Sequence, residues 1–152
     1  MALIASVQTS FGSFGIVEEG EAITQLLWNA PEAAGRSPLL EEAKAQIRAY
    51  CAGELERFDL PLRPSGSAAQ QSVWAAMQAI PKGTTRSYGD LAAELELPAQ
   101  LVGQCCGANP IPVIIPCHRI VGADGLGGFS GMGGVETKVA LLRHESAYSL
   151  LL

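Results

Sequence analysis

Along the first third of the chain, apolar positions fall into short runs separated by turn residues. The runs are Leu3-Ile4-Ala5-Ser6-Val7, Phe11 to Val17, and Ile23 to Trp28, with Glu19-Gly20-Glu21 breaking the last two apart. That spacing predicts an antiparallel meander of about three strands. Asn29 to Pro38 is rich in Pro, Gly, Ala and Ser and reads as a loop. The period then changes. Ser37 can cap a helix that has Pro38 in its first turn and Glu41 and Glu42 against the positive end of the dipole. Leu39, Ala43, Ile47 and Tyr50 recur at helical spacing up to Gly53, which predicts one amphipathic helix.

Leu60 to Ser67, with Pro61, Pro64 and Gly66, cannot be helical and reads as a connection between domains. The expected division is a domain over 1–63 and a second over 67–150. Beyond it the pattern is helical. Ser67 can cap a helix carrying Val73, Trp74, Met77 and Ile80, stopped by Pro81-Lys82-Gly83. Thr85 or Ser87 can start a second through Leu91, Ala92 and Leu95. Pro98 opens a third over Ala99 to Cys106, closed by Gly107-Ala108-Asn109-Pro110. The last two have the proportions of a helix-turn-helix. A final helix from Val135 to about Ser146 is expected to bury Val135, Val139 and Leu142, with Glu145 near the buried side. The fold class is therefore α+β: a small antiparallel-sheet domain with a helix, then a mainly helical, winged-helix-like domain.

One segment departs from simple patterning. Ile114-Ile115-Pro116-Cys117-His118-Arg119-Ile120-Val121 sets a thiol, an imidazole and a guanidinium inside an apolar run. Burying such groups is costly unless they have partners or a task. A thiolate is a nucleophile, and its formation is favoured by a neighbouring cation or proton acceptor. Neighbours in an extended run point to opposite sides, so contact between the Cys117 and His118 side chains needs a turn or a bridging water. An inert buried cysteine beside a satisfied histidine is the plainer reading of a lone Cys–His pair. The Asn109-Pro110 turn, the glycine-rich stretch Gly125 to Gly134 and the late carboxylate Glu145 favour a shaped pocket instead. The glycine stretch lacks a P-loop lysine, so it reads as a pocket wall and not as a phosphate cradle.

Composition narrows the chemistry. The 152 residues suffice for one core, or for a small domain and a slightly larger one. No run approaches the roughly 20 apolar residues of a membrane span, and the start lacks a secretory pattern. A cytoplasmic or nucleoid-associated protein is expected, with no membrane partner. Without an export signal, Cys51, Cys105, Cys106 and Cys117 are expected as reduced thiols. With no Cys-x-x-Cys pair and only two histidines, no metal site and no cofactor are expected. The net charge of −5, and the absence of Lys and Arg from Leu91 through His118, run against phosphate binding. On periodicity alone the helix pair reads as a structural hairpin sooner than as a DNA reader.

Pro116-Cys117-His118-Arg119-Ile120-Val121 nevertheless resembles the active-site signature of the O6-alkylguanine-DNA alkyltransferases, the methylated-DNA-protein-cysteine methyltransferases. Val73-Trp74, Ile80-Pro81-Lys82-Gly83-Thr84-Thr85, Ser87-Tyr88-Gly89, Val102-Gly103, Asn109-Pro110, Gly128-Phe129-Ser130-Gly131, Lys138 and Leu141 to Glu145 are similar to family landmarks in the same order. The resemblance is specific over Ser67 to Glu145 and loose before Arg63, where it implies a ribonuclease-H-like scaffold. It implies a monomer that acts once on double-stranded DNA carrying O6-alkylguanine. The damaged base is flipped out, Cys117 takes the alkyl group, and the thioether is permanent.

By the same resemblance, His118 would accept the Cys117 proton through a water and Glu145 would orient the imidazole. Tyr88 would serve the leaving guanine, and Asn109 would brace the turn before Cys117. Ser130 would hold the O6 side of the base in a pocket with Pro110, Phe129 and Gly131, and Arg119 would be structural. Ser87, Ala99, Gln100 and Gln104 would face DNA. Several positions depart from the pattern. Gln100 stands where the family carries a wedge arginine, and the stretch between Tyr88 and Gln100 is about two residues shorter. Gly107 replaces a basic residue, Ala68-Ala69 a bulky aromatic, and Met132-Gly133 is inserted in the pocket loop. Three readings follow: an alkyltransferase with weakened or altered DNA engagement, a non-catalytic module binding alkylated DNA, and a thiol protein that does not act on DNA.

Overall fold

The structure, a computed structural model, describes residues 2–122 and 134–147. It divides into two units, Met1–Ser65 and Gly66–Leu152. The first holds β1 (Ala2–Thr9), β2 (Gly12–Glu19), β3 (Ala22–Trp28) and α1 (Pro38–Cys51). The strands form an antiparallel meander in the order β1-β2-β3, with Ala5 opposite Ile16 and Ile16 opposite Leu26. Helix α1 packs on β1 and β2. Its cap is Ser37, whose hydroxyl accepts from the Leu40 amide and donates to the buried Glu18 carboxylate. The buried stripe of α1 is Leu40, Ala43, Ile47 and Tyr50. Leu39, expected in that stripe, is half-buried. Leu40 is three residues from Ala43 and seven from Ile47, so the stripe starts one position later than apolar spacing alone suggested.

Both edges of this small sheet are covered. The segment around Leu62 runs parallel to β3, with Ile23 N–H donating to Pro61 O and Arg63 N–H to Ile23 O, each at 2.8 Å. Along β1, Ser6 N–H donates to Ala33 O at 3.0 Å and Gly35 N–H to Ile4 O at 2.8 Å. Covered edges do not template pairing with other chains.

The second unit holds α2 (Ala68–Gln78), β4 (Arg86–Ser87), α3 (Tyr88–Leu95), α4 (Ala99–Gly107), a single 3₁₀ turn at Cys117–Arg119, β5 (Ile120–Val121) and α5 (Val135–His144). Reciprocal capping boxes start α2 (Ser67 with Gln70) and α3 (Ser87 with Asp90). Helix α3 ends at Glu96 in the left-handed region, and Pro98 opens α4. Helix α4 packs on α2 and α3, and Trp74 Nε1–H donates to Cys105 O at 2.8 Å in the core. The fold is α+β with a helix-turn-helix, as expected. Strands β4 and β5 pair in parallel, Arg86 opposite Ile120 and Ser87 opposite Val121. That ladder lays the start of α3 beside the end of the Cys117 turn.

Helix α5 corrects the expected face. Its buried residues are Lys138, Leu141 and Leu142, while Val135 is 45% exposed and Val139 half-buried. Positions 138, 141, 142 and 145 form one helical stripe, and that stripe carries a lysine and a glutamate. Among the described residues, no helix is long and apolar enough to cross a membrane.

The β1 edge contact yields a test. A Cβ on Gly35 would stand 2.9 Å from Ile4 N and 3.0 Å from Ile4 C, closer still to Ile4 O, and none of these backbone atoms can swing aside. Gly35→Ala is expected to cost about 1–3 kcal/mol in urea denaturation, with amide exchange quickened along β1.

Candidate active site

The chain approaches Cys117 through a buried segment, residues 111–120. Asn109 pins it at two points. Its Nδ2–H donates to Ile115 O at 2.8 Å, and its Oδ1 accepts from Ile111 N–H at 3.0 Å. Ile115 O also accepts the Cys117 N–H at 2.8 Å, so one carbonyl links the asparagine to the cysteine backbone. Cys117 and His118 lie in a 3₁₀ turn and not in the extended run first expected; Pro116 initiates the turn, and Arg119 N–H closes onto Pro116 O at 3.0 Å.

Behind the cysteine is a buried, hydrogen-bonded charge cluster. Glu145 Oε2 meets His118 Nε2 at 2.7 Å, Arg119 donates through Nε to Oε1 and through Nη2 to Oε2, both at 2.9 Å, and Arg119 Nη1 reaches Ile80 O at 2.7 Å. Burial alone would raise the Glu145 carboxyl, but the hydrogen bonds from His118 and Arg119 outweigh it and hold the pKa well below the carboxylate range. His118 moves downward because burial disfavours the imidazolium, an effect the Glu145 hydrogen bond and charge only partly offset. The carboxylate can only accept, so His118 Nε2 carries the proton and Nδ1 presents its lone pair. That Nδ1 is buried and makes no hydrogen bond among the described residues. The cluster thus presents a neutral, oriented base.

A second cluster surrounds the thiol. Burial pushes the Cys117 pKa up, opposed by the Asn109 side chain, Lys138 and the cysteine's own backbone amide. Cys117 rests as a neutral thiol, so the thiol has to give up its proton before or as the sulfur attacks. Lys138 has no exposed surface, and its ammonium lies 5.9 Å from the Tyr88 ring centroid. Burial lowers its pKa to about 8, with the Cys117 and Cys106 sulfurs opposing. Tyr88 is shifted up by burial and then by the two thiols. Cys106, 3.9 Å from Met77 Sδ, is pushed up to about 12, chiefly by burial.

The structure therefore brings together Cys117, Asn109, Tyr88, His118, Arg119 and Glu145. Ser87 caps α3, and Pro110 is half-buried at the head of the Cys117 segment. Ala99, Gln100 and Gln104 lie on the exposed side of α4, where Gln100 and Gln104 are one turn apart. Phe129, Ser130 and Gly131 lie outside the described residues. Sequence reasoning gave no role to Lys138 or Cys106. The signal for Lys138 was present in the helical stripe it shares with Leu141, Leu142 and Glu145.

A buried thiol, a neutral imidazole oriented by a carboxylate and a helix-turn-helix in one unit define a nucleophilic-cysteine protein built on a DNA-binding architecture. The sequence model described as 6-O-methylguanine DNA methyltransferase, DNA binding domain, matches residues 68–147. The chain belongs to that family. It is 46% identical over 114 residues, 72% of this chain and 69% of the other, to the methylated-DNA–protein-cysteine methyltransferase of Mycolicibacterium paratuberculosis. Against the constitutive enzyme of that name from Bacillus subtilis it is 36% identical, with 95% and 96% of the two chains covered. A crystal structure of Mycobacterium tuberculosis OGT in complex with DNA superposes with a TM-score of 0.85 at 37% identity, covering 95% of this chain and 92% of that one.

The charge cluster carries a pH prediction. Both Glu145 and His118 have folded pKa values below their ordinary ones, so the unfolded chain binds the protons that the folded site refuses. Stability is therefore present at neutral pH and lost on acidification. It declines as pH falls below about 6.5 and more steeply below about 4.5, the ordinary values of the two groups. Glu145→Gln removes the lower limb of that profile. At neutral pH it costs about 3–5 kcal/mol, because the buried Arg119 loses its counter-charge. Denaturant titrations across pH 3–8, a window set by those ordinary values, read both effects.

Proposed function

We propose that Cys117 accepts the alkyl group of O6-alkylguanine in double-stranded DNA, once per molecule, with the chain acting as a monomer. The observation that carries this reading is the neutral Cys117 thiol in the same turn as His118, whose Nε2–H is committed to Glu145 and whose Nδ1 is left as the base. Sγ forms a bond to the alkyl carbon as the carbon–O6 bond breaks. The thiol proton passes to His118 Nδ1 through a water, and Glu145 stabilises the imidazolium that results. The guanine anion takes a proton from the Tyr88 side. Lys138, beside Tyr88 and the sulfurs, supplies positive charge where negative charge develops. Arg119 holds Glu145, and Asn109 fixes the backbone ahead of Cys117. The 1–63 domain acts as a scaffold, and the 67–150 domain carries the DNA contacts and the chemistry.

The DNA face in this reading is the exposed side of α4, with Ala99, Gln100 and Gln104, and the start of α3 at Ser87. The pocket adds Pro110, Phe129, Ser130 and Gly131. DNA as partner is supported by the complex of the Mycobacterium tuberculosis relative. A module that only binds alkylated DNA has no use for an intact nucleophile and base, and the named relatives favour transfer over it and over a thiol protein without DNA.

Duplex DNA carrying radiolabelled O6-methylguanine is expected to pass one label per protein molecule to the peptide containing Cys117, and Cys117→Ser is expected to pass none. Label on Cys106, or on no cysteine, would sink the assignment. Engagement of DNA has its own test at Gln100. Gln100→Arg is expected to tighten binding several-fold and to steepen the log K against log salt slope by about 0.9, the increment of one added phosphate contact. An unchanged slope would take Gln100 off the DNA face.

A further inference from the structure

The backbone before Cys117 contains a strained residue for which neither the helix-turn-helix nor the charge cluster gives a reason. Val113 has φ +71°, and across it Ile114 N–H donates to Pro112 O at 2.8 Å. An i to i+2 hydrogen bond around a positive φ is the rare, strained form of γ-turn. A β-branched residue there is a steric outlier. Such outliers persist only where the surroundings over-determine them. Here Asn109 binds both Ile111 N–H and Ile115 O, and Ile115 N–H donates to Ile111 O at 2.8 Å. Val113 itself is 2% exposed. Three residues on, Pro116 at φ −81° and ψ 69° makes a second γ-turn, of the relaxed kind, with Cys117 N–H on Ile115 O.

Glycine would adopt the Val113 conformation at far lower cost, yet the chain carries valine. We propose that Val113 is a positioning residue, its turn holding Ile115 O, and through it Cys117, in one place beside Asn109 and Lys138. Held at positive φ by the Asn109 bonds, a branched residue has only a narrow range of backbone angles open to it, where glycine has a broad one and would let the turn relax and the thiol drift. Positioning is worth a great deal in such a reaction, because a misplacement of about 1 Å can cost on the order of a hundredfold in rate. The inference rests on the assignment of Cys117 as the acceptor.

The test compares Val113→Gly with Val113→Ala. Both lose the valine side chain, and only glycine also releases the backbone. Three measurements are made: denaturant stability, the pH midpoint of Cys117 alkylation by iodoacetamide located by peptide mass, and the single-turnover transfer rate with an O6-methylguanine duplex. The glycine variant is expected to be at least as stable as the alanine variant. Its alkylation midpoint is expected to lie higher, because the thiol leaves the groups that lower it, and its transfer rate to be on the order of tenfold slower. Coincident midpoints, or a glycine variant less stable than the alanine variant or unable to fold, would overturn the role of Val113. Failure of the wild-type chain to transfer any label would instead remove the acceptor assignment, and the midpoints, which need no DNA, would still decide Val113.

Discussion

The structure around the thiol depends on the buried Glu145 carboxylate. It accepts from His118 and twice from Arg119, and Arg119 spends its remaining reach on Ile80 O. Glu145, the C-cap of α5, thereby ties that helix to the Cys117 turn, and Arg119 ties the turn to Ile80, just past the end of α2. A buried ion pair is a poor source of net stability, since desolvation offsets much of its attraction. Its value here lies in charge and direction. Burial disfavours the imidazolium, Arg119 adds to that by offsetting the Glu145 charge, and the hydrogen bond to Glu145 still fixes which imidazole nitrogen is left as the acceptor.

The thiol's environment complements that arrangement. Burial keeps Cys117 protonated at rest, which protects it from adventitious electrophiles and leaves its activation to the base. Lys138 works the other way, as a fully buried ammonium whose attraction for a developing thiolate is little screened. The two effects combine in a sulfur that is inert until its proton has somewhere to go. Asn109 contributes to both sides. It lowers the thiol's pKa directly, and it holds the carbonyl from which the Cys117 amide hangs.

Local physics made much of the fold legible in the sequence. Ser37, Ser67 and Ser87 each cap a helix at the position where a serine precedes an apolar-periodic run, because capping involves only the next three residues. The three-strand meander follows from runs separated by turn residues in the same way. The misses share one cause. Periodicity arguments count apolar residues and assign charged ones to solvent, which puts Val135 and Val139 on the buried face of α5 and leaves Lys138 off it. The charges at 138 and 145 are buried by partners more than twenty residues away in sequence, in the Cys117 turn and, for Lys138, also at Tyr88. Leu39 failed by a single position for a related reason: two adjacent leucines at a helix start leave the stripe's phase open until packing chooses. The resemblance named His118, Arg119 and Glu145, but the two-point grip of Arg119 and the 3₁₀ turn that aims Cys117 are three-dimensional facts with no local signature.

The helix-turn-helix poses a different electrostatic problem from the site it serves. From Gly83 through Cys117 the only cation is Arg86, in β4, and it is paired with Glu94 of α3. An exposed pair of this kind is worth little to stability, so its main effect is to cancel the one charge available for phosphate. The exposed side of α4 offers the amides of Gln100 and Gln104, which hydrogen-bond but release no counterions. Affinity built this way comes from hydrogen bonds, backbone amides and fit to the groove, and it varies less steeply with salt than affinity built on lysine and arginine. In the proposed reading Gln100 takes the wedge position, and the effect there runs in the same direction. An amide can fill part of the space left by an extruded base, but it brings no charge to hold the distorted backbone. The proposed reading, with Gln100 at the extruded base, therefore implies selectivity for bases already loosely stacked or mispaired, whose extrusion costs least.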